Sequence, residues 1–436
     1  MRRVEKAREG YKMTEQGEIP IHWEIEKLED LFNFYSGISI SRDNLSEHGI
    51  YYLHYGDIHK KNKNYFSIKE DSDWLPKIDI EVNKLKEELL LNTGDVVFAD
   101  ASEDYEGIGK SVVIINDNNE KFVAGLHTIV AKDKIKKLHT LYKKYCFSTT
   151  QVRKQFVKLA TGATVYGISR SNIKNIKILV PSIEEQKKIA SILSSVDKQI
   201  EITDNLIEKT KELKKGLMQR LLTKGIGHSR FKDTELGKIP EEWEILRIKD
   251  VGDTISGGTP SRSHKEYYEN GTIPWLKTGE LNQKYIFDSE EKITEKAVLK
   301  SSAKLIPINS VLIAMYGATI GKVSISKREL TTNQACCAII CKEEILSYEY
   351  LYYILSFNKE NLIELGAGGA QPNISQMIIK EYKIAVPSIK EQEKIATILS
   401  SVDEQIEQYE LKKEKLQKLK KGLMQKLLTG KIRVKV

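Results

Sequence analysis

The sequence is poor in the residues on which most protein chemistry is built. Four cysteines in 436 residues, Cys146, Cys336, Cys337 and Cys341, are too few for a disulfide framework. The last three lie close together, but no second Cys or His pair at zinc spacing joins them. They read instead as small apolar residues of a strand in a reduced protein. The eight histidines are scattered, so no Ser/His or Cys/His constellation stands out for nucleophilic catalysis. No two of the nine prolines are adjacent, which excludes the Asn/Asp-Pro-Pro-aromatic signature of an adenine methyltransferase. No apolar run reaches the ~18 residues of a membrane span. Met1-Arg2-Arg3-Val4-Glu5-Lys6 has no apolar stretch behind it, so no signal peptide is expected. Charge is nearly balanced as well: a net +8 is a small excess among 130 charged residues. A polyanionic partner is compatible with it but not required by it.

Phosphate loops are incomplete. Gly317-Ala318-Thr319-Ile320-Gly321-Lys322 is one residue short and runs into Val323, and Gly107-Ile108-Gly109-Lys110-Ser111 has Asp104 where a glycine is needed. The two align with each other, so a common turn between strands explains both. Acidic-x-Lys triplets such as Glu212-Leu213-Lys214 are inevitable at this charge density and do not make a nuclease.

What the chain has is a repeat. Val180 to Thr223 matches Val386 to Thr429 without a gap at an offset of 206, with 30 of 44 positions identical. Tyr11 to Ile25 matches Phe231 to Ile245 at offset 220, sharing Ile19-Pro20/Ile239-Pro240 and Trp23-Glu24/Trp243-Glu244. Between these anchors only echoes persist, such as Tyr52-Leu53 against Trp275-Leu276 and Ser41-Arg42 against Ser261-Arg262. Each half is thus a variable globular unit followed by a nearly invariant segment. The expected division is a closing segment at 1–22, a first globular domain at 23–180, a long helix at 181–224, a connector at 225–242, a second globular domain at 243–386, a second long helix at 387–430, and a tail at 431–436. Because 1–22 corresponds to the stretch after the first helix, the C-terminus is expected near the N-terminus, as in a ring cut at one point.

The repeated segments read as helices. Pro181 and Pro387 stop any helix upstream, and Ser182/Glu185 and Ser388/Glu391 have capping-box spacing. Apolar residues recur at seven: Ile189, Val196 and Leu217 with Leu193, Ile200, Ile207 and Leu221, and again Ile395, Val402, Tyr409, Leu416 and Leu423 with Leu399, Ile406 and Leu427. A 3.5-residue seam over about five heptads predicts a coiled coil, and about forty residues at ~1.5 Å rise give a rod of about 60 Å. Two such helices in one chain most simply pair antiparallel, with the halves related by a pseudo-twofold axis. Thr203, Thr210, Lys214, Lys413 and Lys420 interrupt the seams, where partner contacts or fraying replace packing. Lys214-Lys215 and Lys420-Lys421 are placed in the last turns, where cations suit the helix dipole.

The globular units mix short β-rich runs with one helical stretch each, Leu141 to Leu159 and Ser347 to Leu365. That is an α+β pattern with mixed or antiparallel sheets. Basic, aromatic and small polar residues interleave in their loops: Ser41, Arg42, His54, Tyr55, Lys60, Lys61, Lys63, Thr164, Tyr166 and Arg170 in the first unit, and Thr259, Ser261, Arg262, Lys277, Thr278, Tyr316, Gln371 and Asn373 in the second. Such loops suit phosphates and base edges; they also suit an ordinary solvated face. An Arg at position 42 or 262 serves either to read guanine or to hold a phosphate.

With the tandem repeat, the Pro-Ser-Ile-x-Glu-Gln helix start, the Leu-Lys-Lys-Gly-Leu-Met-Gln helix end and the Gly257-Gly258-Thr259-Pro260-Ser261 loop on the page, the whole chain resembles the specificity subunit of type I restriction-modification systems. The first unit departs from that loop, reading Gly37-Ile38-Ser39-Ile40-Ser41. The resemblance implies two target-recognition domains, each reading half of a bipartite, asymmetric site on double-stranded DNA, with the helices fixing their spacing. It implies no catalysis and no cofactor in this chain. S-adenosylmethionine would belong to two methyltransferase subunits that flip adenine, and ATP to restriction/translocase subunits. The setting would be the cytoplasm, away from membrane. A scaffold joining two protein-binding modules is the alternative, and an NTPase or nuclease a weaker one.

Overall fold

The computed structural model describes residues 7–40, 42–61, 63–81, 85–366 and 373–436. The chain forms two compact units, Met1–Thr203 with Lys412–Val436, and Asp204–Leu411. The division cuts both long helices, so each unit contains a head, the start of one helix and the end of the other.

In the first unit a five-stranded sheet has the order Phe32–Ser36, Thr128–Asp133, Val96–Ala99, Ser111–Ile115, Tyr65–Ser67. It is antiparallel except for the last pair, which is parallel. A smaller sheet has the order Phe122–Ala124, Ile50–Leu53, Lys77–Ile78, Leu45–Ser46. The second unit repeats the larger sheet strand for strand: Gly252–Ser256, Cys336–Cys341, Val311–Ala314, Val323–Ser326, Tyr285–Ile286, again with a parallel last pair. Its smaller sheet is Lys292–Ile293, Ile273–Leu276, Thr331–Thr332. The mixed α+β architecture is therefore present in both halves. The central strands Val96–Ala99 and Val311–Ala314 are buried along their whole length, as continuous apolar runs should be when both faces are covered.

Each helical stretch expected in a head is two helices. In the first, Thr140–Cys146 and Thr150–Leu159 are separated where the Thr149 hydroxyl accepts from Val152 N at 3.3 Å and starts a new helix. In the second, Tyr348–Phe357 and Lys359–Leu365 share Asn358 as their boundary.

The long helices are Ile183–Lys224, 42 residues, and Ile389–Leu427, 39 residues. Ser182 Oγ accepts from Glu185 N at 3.2 Å, which is half of the capping box. At the far ends Gly225 (φ 63°) and Gly430 (φ 70°) take the left-handed conformation that stops a helix. In the first unit Lys420 meets Asp197 at 2.6 Å; in the second Lys214 meets Asp403 at 2.5 Å and Lys211 meets Glu410 at 3.1 Å. These pairings run antiparallel in both units.

The seam differs from an even heptad ladder. Ile189 and Leu193 share one core with Trp23, Tyr142 and Leu427, and Ile395 and Leu399 share another with Trp243, Tyr350 and Leu221. The ends of the helices are thus core helices of the heads. Ile207 and Val402 are buried, while Val196, Ile200, Leu217, Ile406, Tyr409, Leu416 and Leu423 are half-buried. The polar interruptions do not mark fraying. Thr203 and Thr210 are buried, and their hydroxyls donate back to Gln199 O at 2.7 Å and Leu206 O at 2.6 Å. Lys214 and Lys420 lie well before the helix ends and reach across to aspartates, rather than complementing the dipole of a last turn.

Candidate nucleic-acid interface

In the first head the loops converge through a chain of hydrogen bonds at one edge of the sheets. After the strand Phe32–Ser36, Gly37 N donates to Thr128 O at 3.1 Å and Ile38 N to Ala124 O at 2.8 Å. A Cβ on Gly37 would lie 1.9 Å from Gly125 O, so only glycine fits there. The Tyr52 hydroxyl donates to Ile38 O at 2.9 Å and accepts from Leu126 N at 2.9 Å. Next in line is His127, held at φ 56°, a conformation costly outside glycine. Its Nδ1 is 3.2 Å from Asp100 Oδ1 and its ring stands edge-on to Tyr55 at 5.3 Å. Burial pushes the Asp100 carboxyl up, against the charge and hydrogen bond of His127. Ile168 N donates to Asp100 O at 2.8 Å, and Ser102 pairs with Tyr166, whose ring stacks on Tyr105 at 3.8 Å.

The second head repeats the framework with other side chains. Gly257 N donates to Cys336 O at 3.2 Å and Gly258 N to Thr332 O at 2.9 Å. The Trp275 indole donates to Gly258 O at 2.9 Å, in the role of the Tyr52 hydroxyl. Thr259 Oγ1 donates to Gln334 Oε1. Tyr316 bridges Asn373 as Ala101 pairs with Gly167 in the first head. Arg262 lies over the rings of Tyr268, 4.2 Å, and Trp275, 5.3 Å, and makes a two-pronged pair with Glu291 at 3.0 and 2.8 Å. Lys277 reaches the same carboxylate at 2.9 Å. The hydrogen bonds of Arg262, outweighing burial, and those of Lys277 hold the Glu291 carboxyl down at about 2.

The residues singled out from sequence fall into four groups. His54, Tyr55 and Tyr166 in the first head, and Thr259, Ser261, Arg262, Lys277, Thr278, Tyr316 and Asn373 in the second, lie along these loops. Thr164 is exposed in the loop closed by paired hydrogen bonds between Thr161 and Gly167, and Arg170 is exposed in the first turn of Arg170–Lys174, capped by Ser169. Lys60 is exposed as well. Ser41 and Gln371 lie outside the described residues, as does the side chain of Arg42.

One lysine needs correcting, and a second is paired at the surface. Lys61 is 9% exposed in its side chain, pairs with the buried Asp71 and sits 4.7 Å over Phe66. Lys63 bonds Glu70 at 3.0 Å and Glu201, on the long helix, at 2.8 Å. Lys61 is thus held in a buried structural pair, while Lys63, 35% exposed, links the head to the long helix at the surface. Sequence reasoning passed over His127, Asp100, Gln334 and Glu291, which have no periodic or repeated signal. Tyr52 and Trp275 were visible as an aligned pair, but not as buttresses.

The glycine-lysine turns are hairpin turns. Gly109 N donates to Ala99 O at 3.0 Å and Gly321 N to Ala314 O at 2.9 Å. Lys110 Nζ is consumed by the carbonyls of His59 and Lys61, both at 2.9 Å, and Lys322 Nζ by Asn282 Oδ1 at 2.7 Å. The cysteine thiols are free, and burial pushes those of Cys337 and Cys341 up to about 12. No group of His, Cys, Asp and Glu among the described residues is placed to hold a metal. None of the described helices is long and apolar enough to cross a membrane.

The family described as Type I restriction modification DNA specificity domain matches twice, at residues 20–212 and 240–421. The chain is 31% identical to the putative type I restriction enzyme MjaX specificity subunit of Methanocaldococcus jannaschii, covering 98% of this chain and 97% of that protein. It is 34% identical to the MjaVIII specificity subunit of the same organism, covering 67% and 70%. The crystal structure of the type I restriction-modification system S subunit from M. genitalium shares its fold, with a TM-score of 0.58 at 16% identity over 94% of this chain and 96% of that one. The chain therefore belongs to the type I restriction-modification specificity-subunit family.

Proposed function

We propose that this chain is the sequence-reading component of a type I restriction-modification complex, each head reading one half of a bipartite, asymmetric duplex site. The observation that carries the reading is one loop framework bearing two different sets of side chains. Tyr52 and Trp275 support equivalent loops, and the residues those loops present, His54 and Tyr55 against Arg262 and Lys277, differ in charge and shape. A common frame with distinct polar tips suits two unlike half-sites. Arg262, Lys277, Thr259, Tyr316, Asn373 and Gln371 are assigned to one half-site. His54, Tyr55, Thr164, Tyr166, Arg170, Ser41 and Arg42 are assigned to the other, with Lys60 on phosphate. Methylation of adenine is assigned to two partner subunits that carry S-adenosylmethionine, and cleavage to ATP-using partners, in the cytoplasm.

The test is co-expression with the methyltransferase subunit and mapping of methylated adenines. A shared motif of two short half-sites with a fixed gap is expected, and exchange of residues 23–179 for another such head should change one half alone. Absence of any shared motif would overturn the reading. Duplex affinity should also fall by roughly 10³–10⁵ between 50 and 200 mM salt if 6–10 phosphates are contacted.

A further inference from the structure

In the second head the guanidinium assigned to DNA is already occupied. Both terminal nitrogens of Arg262 bond the two oxygens of Glu291, and this end of the fork is the one that would meet a bidentate base edge or phosphate. The carboxylate stands on rigid backbone. Trp275 N donates to Glu291 O at 3.0 Å, Glu290 N to Glu280 Oε2 at 2.8 Å, and Ser289 Oγ to Glu291 O at 2.5 Å. The Arg is equally fixed from behind by Tyr268 and Trp275. The pair is half-exposed, with side-chain exposures of 55% and 31%, so an incoming acceptor can reach it.

The first head supplies an internal contrast. Tyr51 pairs with Lys77 and Pro274 with Lys292, and Tyr52 N donates to Pro76 O at 2.9 Å, as Trp275 N does to Glu291 O. Pro76 therefore stands where Glu291 stands, and carries no acid. Among the described residues the pair is present in the second head alone.

We propose that Glu291 is a specificity-determining residue that occupies the fork of Arg262 until a matching DNA acceptor replaces it. Where a duplex aims no acceptor at the fork, the carboxylate keeps both bonds and its charge is repelled by the nearby phosphates. A correct half-site offers a two-point acceptor in their place. Lys277, sharing the same carboxylate, is released in the same event. Glu291 thus acts as a repulsive element against wrong sequences rather than as an attractive one for the right sequence. This inference rests on the DNA-reading function proposed above.

The test uses the full chain assembled with its methyltransferase partner, the mapped duplex, and the same duplex with the second half-site scrambled. Glu291→Gln should raise affinity for the scrambled duplex about tenfold and for the mapped duplex no more than about threefold, because it removes a repulsive charge. The salt dependence on the scrambled duplex should steepen by about one, since a freed cation gains a phosphate. The scaffold bond from Trp275 is to the Glu291 carbonyl, so it survives the substitution; Glu291→Ser serves as a second variant if the Gln form melts early. The gain must vanish in Arg262→Ala/Glu291→Gln. Weaker binding to the mapped duplex alone would make Glu291 a simple buttress and overturn the proposal, as would unchanged affinities or a gain that persists without Arg262. If the wild-type complex binds neither duplex, the DNA-reading function fails and takes this assignment with it. If it binds both and Glu291→Gln leaves their ratio unmoved, the latch alone fails.

Discussion

The indole of Trp23 donates to Glu185 Oε2 at 3.0 Å, and this single bond joins the two most similar stretches of the repeat. Trp23 comes from the Ile-Pro…Trp-Glu segment and Glu185 from the Pro-Ser-Ile-x-Glu-Gln helix start. Glu185 is 1% exposed and also receives His22, at 3.0 Å, and Arg433 from the tail, at 3.3 Å. The second unit makes the same joint with Trp243, Glu391 and His228, at 3.2 and 2.9 Å. Both segments are repeated because they are halves of one lock between head and helix. The carboxylate that a capping box would turn back to the Ser182 backbone is used for the indole instead.

Glu185→Gln should therefore destabilise the protein by about 2 kcal/mol, the scale of lost charged hydrogen bonds in a buried site. Burial raises the Glu185 carboxyl, but the hydrogen bonds of His22 and Trp23 and the charges of His22 and Arg433 outweigh it, leaving the group below its ordinary value of 4.5. A depressed carboxyl contributes stability that is present above its unfolded value and lost as pH falls through the folded one. Thermal melts of the wild type should thus drop below about pH 4.5 more steeply than those of Glu185→Gln. Parallel melting curves for the two proteins would refute this.

Asp403 accepts from Tyr353 at 2.7 Å and pairs with Lys214 at 2.5 Å. Its counterpart Asp197 accepts from Tyr145 at 2.8 Å and pairs with Lys420 at 2.6 Å. Lys214→Ala removes a half-exposed ion pair and should cost about 0.5–1 kcal/mol. Asp403→Ala also removes the charged acceptor of the Tyr353 hydroxyl, which keeps Ser400 Oγ at 3.1 Å and Lys284 Nζ at 3.0 Å, and should cost about 2 kcal/mol. Chemical denaturation of the two single variants and the double variant measures the coupling; equal costs for both singles would show the tyrosine bond to be idle.

Much of this architecture was legible because it is periodic or repeated. The helices announce themselves through Pro181, Ser182 and the seven-residue spacing, and the two heads through the matched anchors around them. What was not legible is which partner each seam residue meets. Ile189 and Leu193 read as a helix–helix seam, but they complete a core with Trp23 and Tyr142, because a heptad position records burial and not the identity of the cover. The interface was legible as a set of loops, not as a network. His127, Asp100 and Glu291 are joined to it by tertiary hydrogen bonds and ion pairs that leave no local pattern.

Lys60 and Lys61 are neighbours with opposite expectations. Lys61 pairs with Asp71, whose other oxygen accepts from Ser67 N at 3.0 Å, so Lys61→Ala leaves a buried charge uncompensated. It should cost about 3 kcal/mol of stability. Lys60 is exposed, and Lys60→Ala should leave stability within about 0.5 kcal/mol while lowering duplex affinity equally for all sequences. Melting and salt-dependent binding on the same samples check both. A folded, stable Lys61→Ala with reduced affinity would return that lysine to the DNA surface.

Four helix-associated glycines divide into two kinds. Gly216 and Gly422 lie inside the long helices, where an added Cβ would meet nothing within 4 Å. Glycine there carries an entropic cost, so Gly216→Ala and Gly422→Ala should each stabilise the chain by about 0.5–1 kcal/mol. With nothing within 4 Å of either added Cβ, the two substitutions share no partner and should add. Gly225 and Gly430 end the same helices at positive φ, and a Cβ would press on Trp243 at 2.7 Å in one case and on Pro20 at 2.3 Å in the other. Gly225→Ala and Gly430→Ala should therefore destabilise by more than the first pair gains, about 1–3 kcal/mol each. Melting temperatures of the four variants test the contrast directly. If Gly216→Ala or Gly422→Ala lowers the melting temperature, the helices are not continuous at those positions; if Gly430→Ala is neutral, the tail does not close against Pro20 and Trp23.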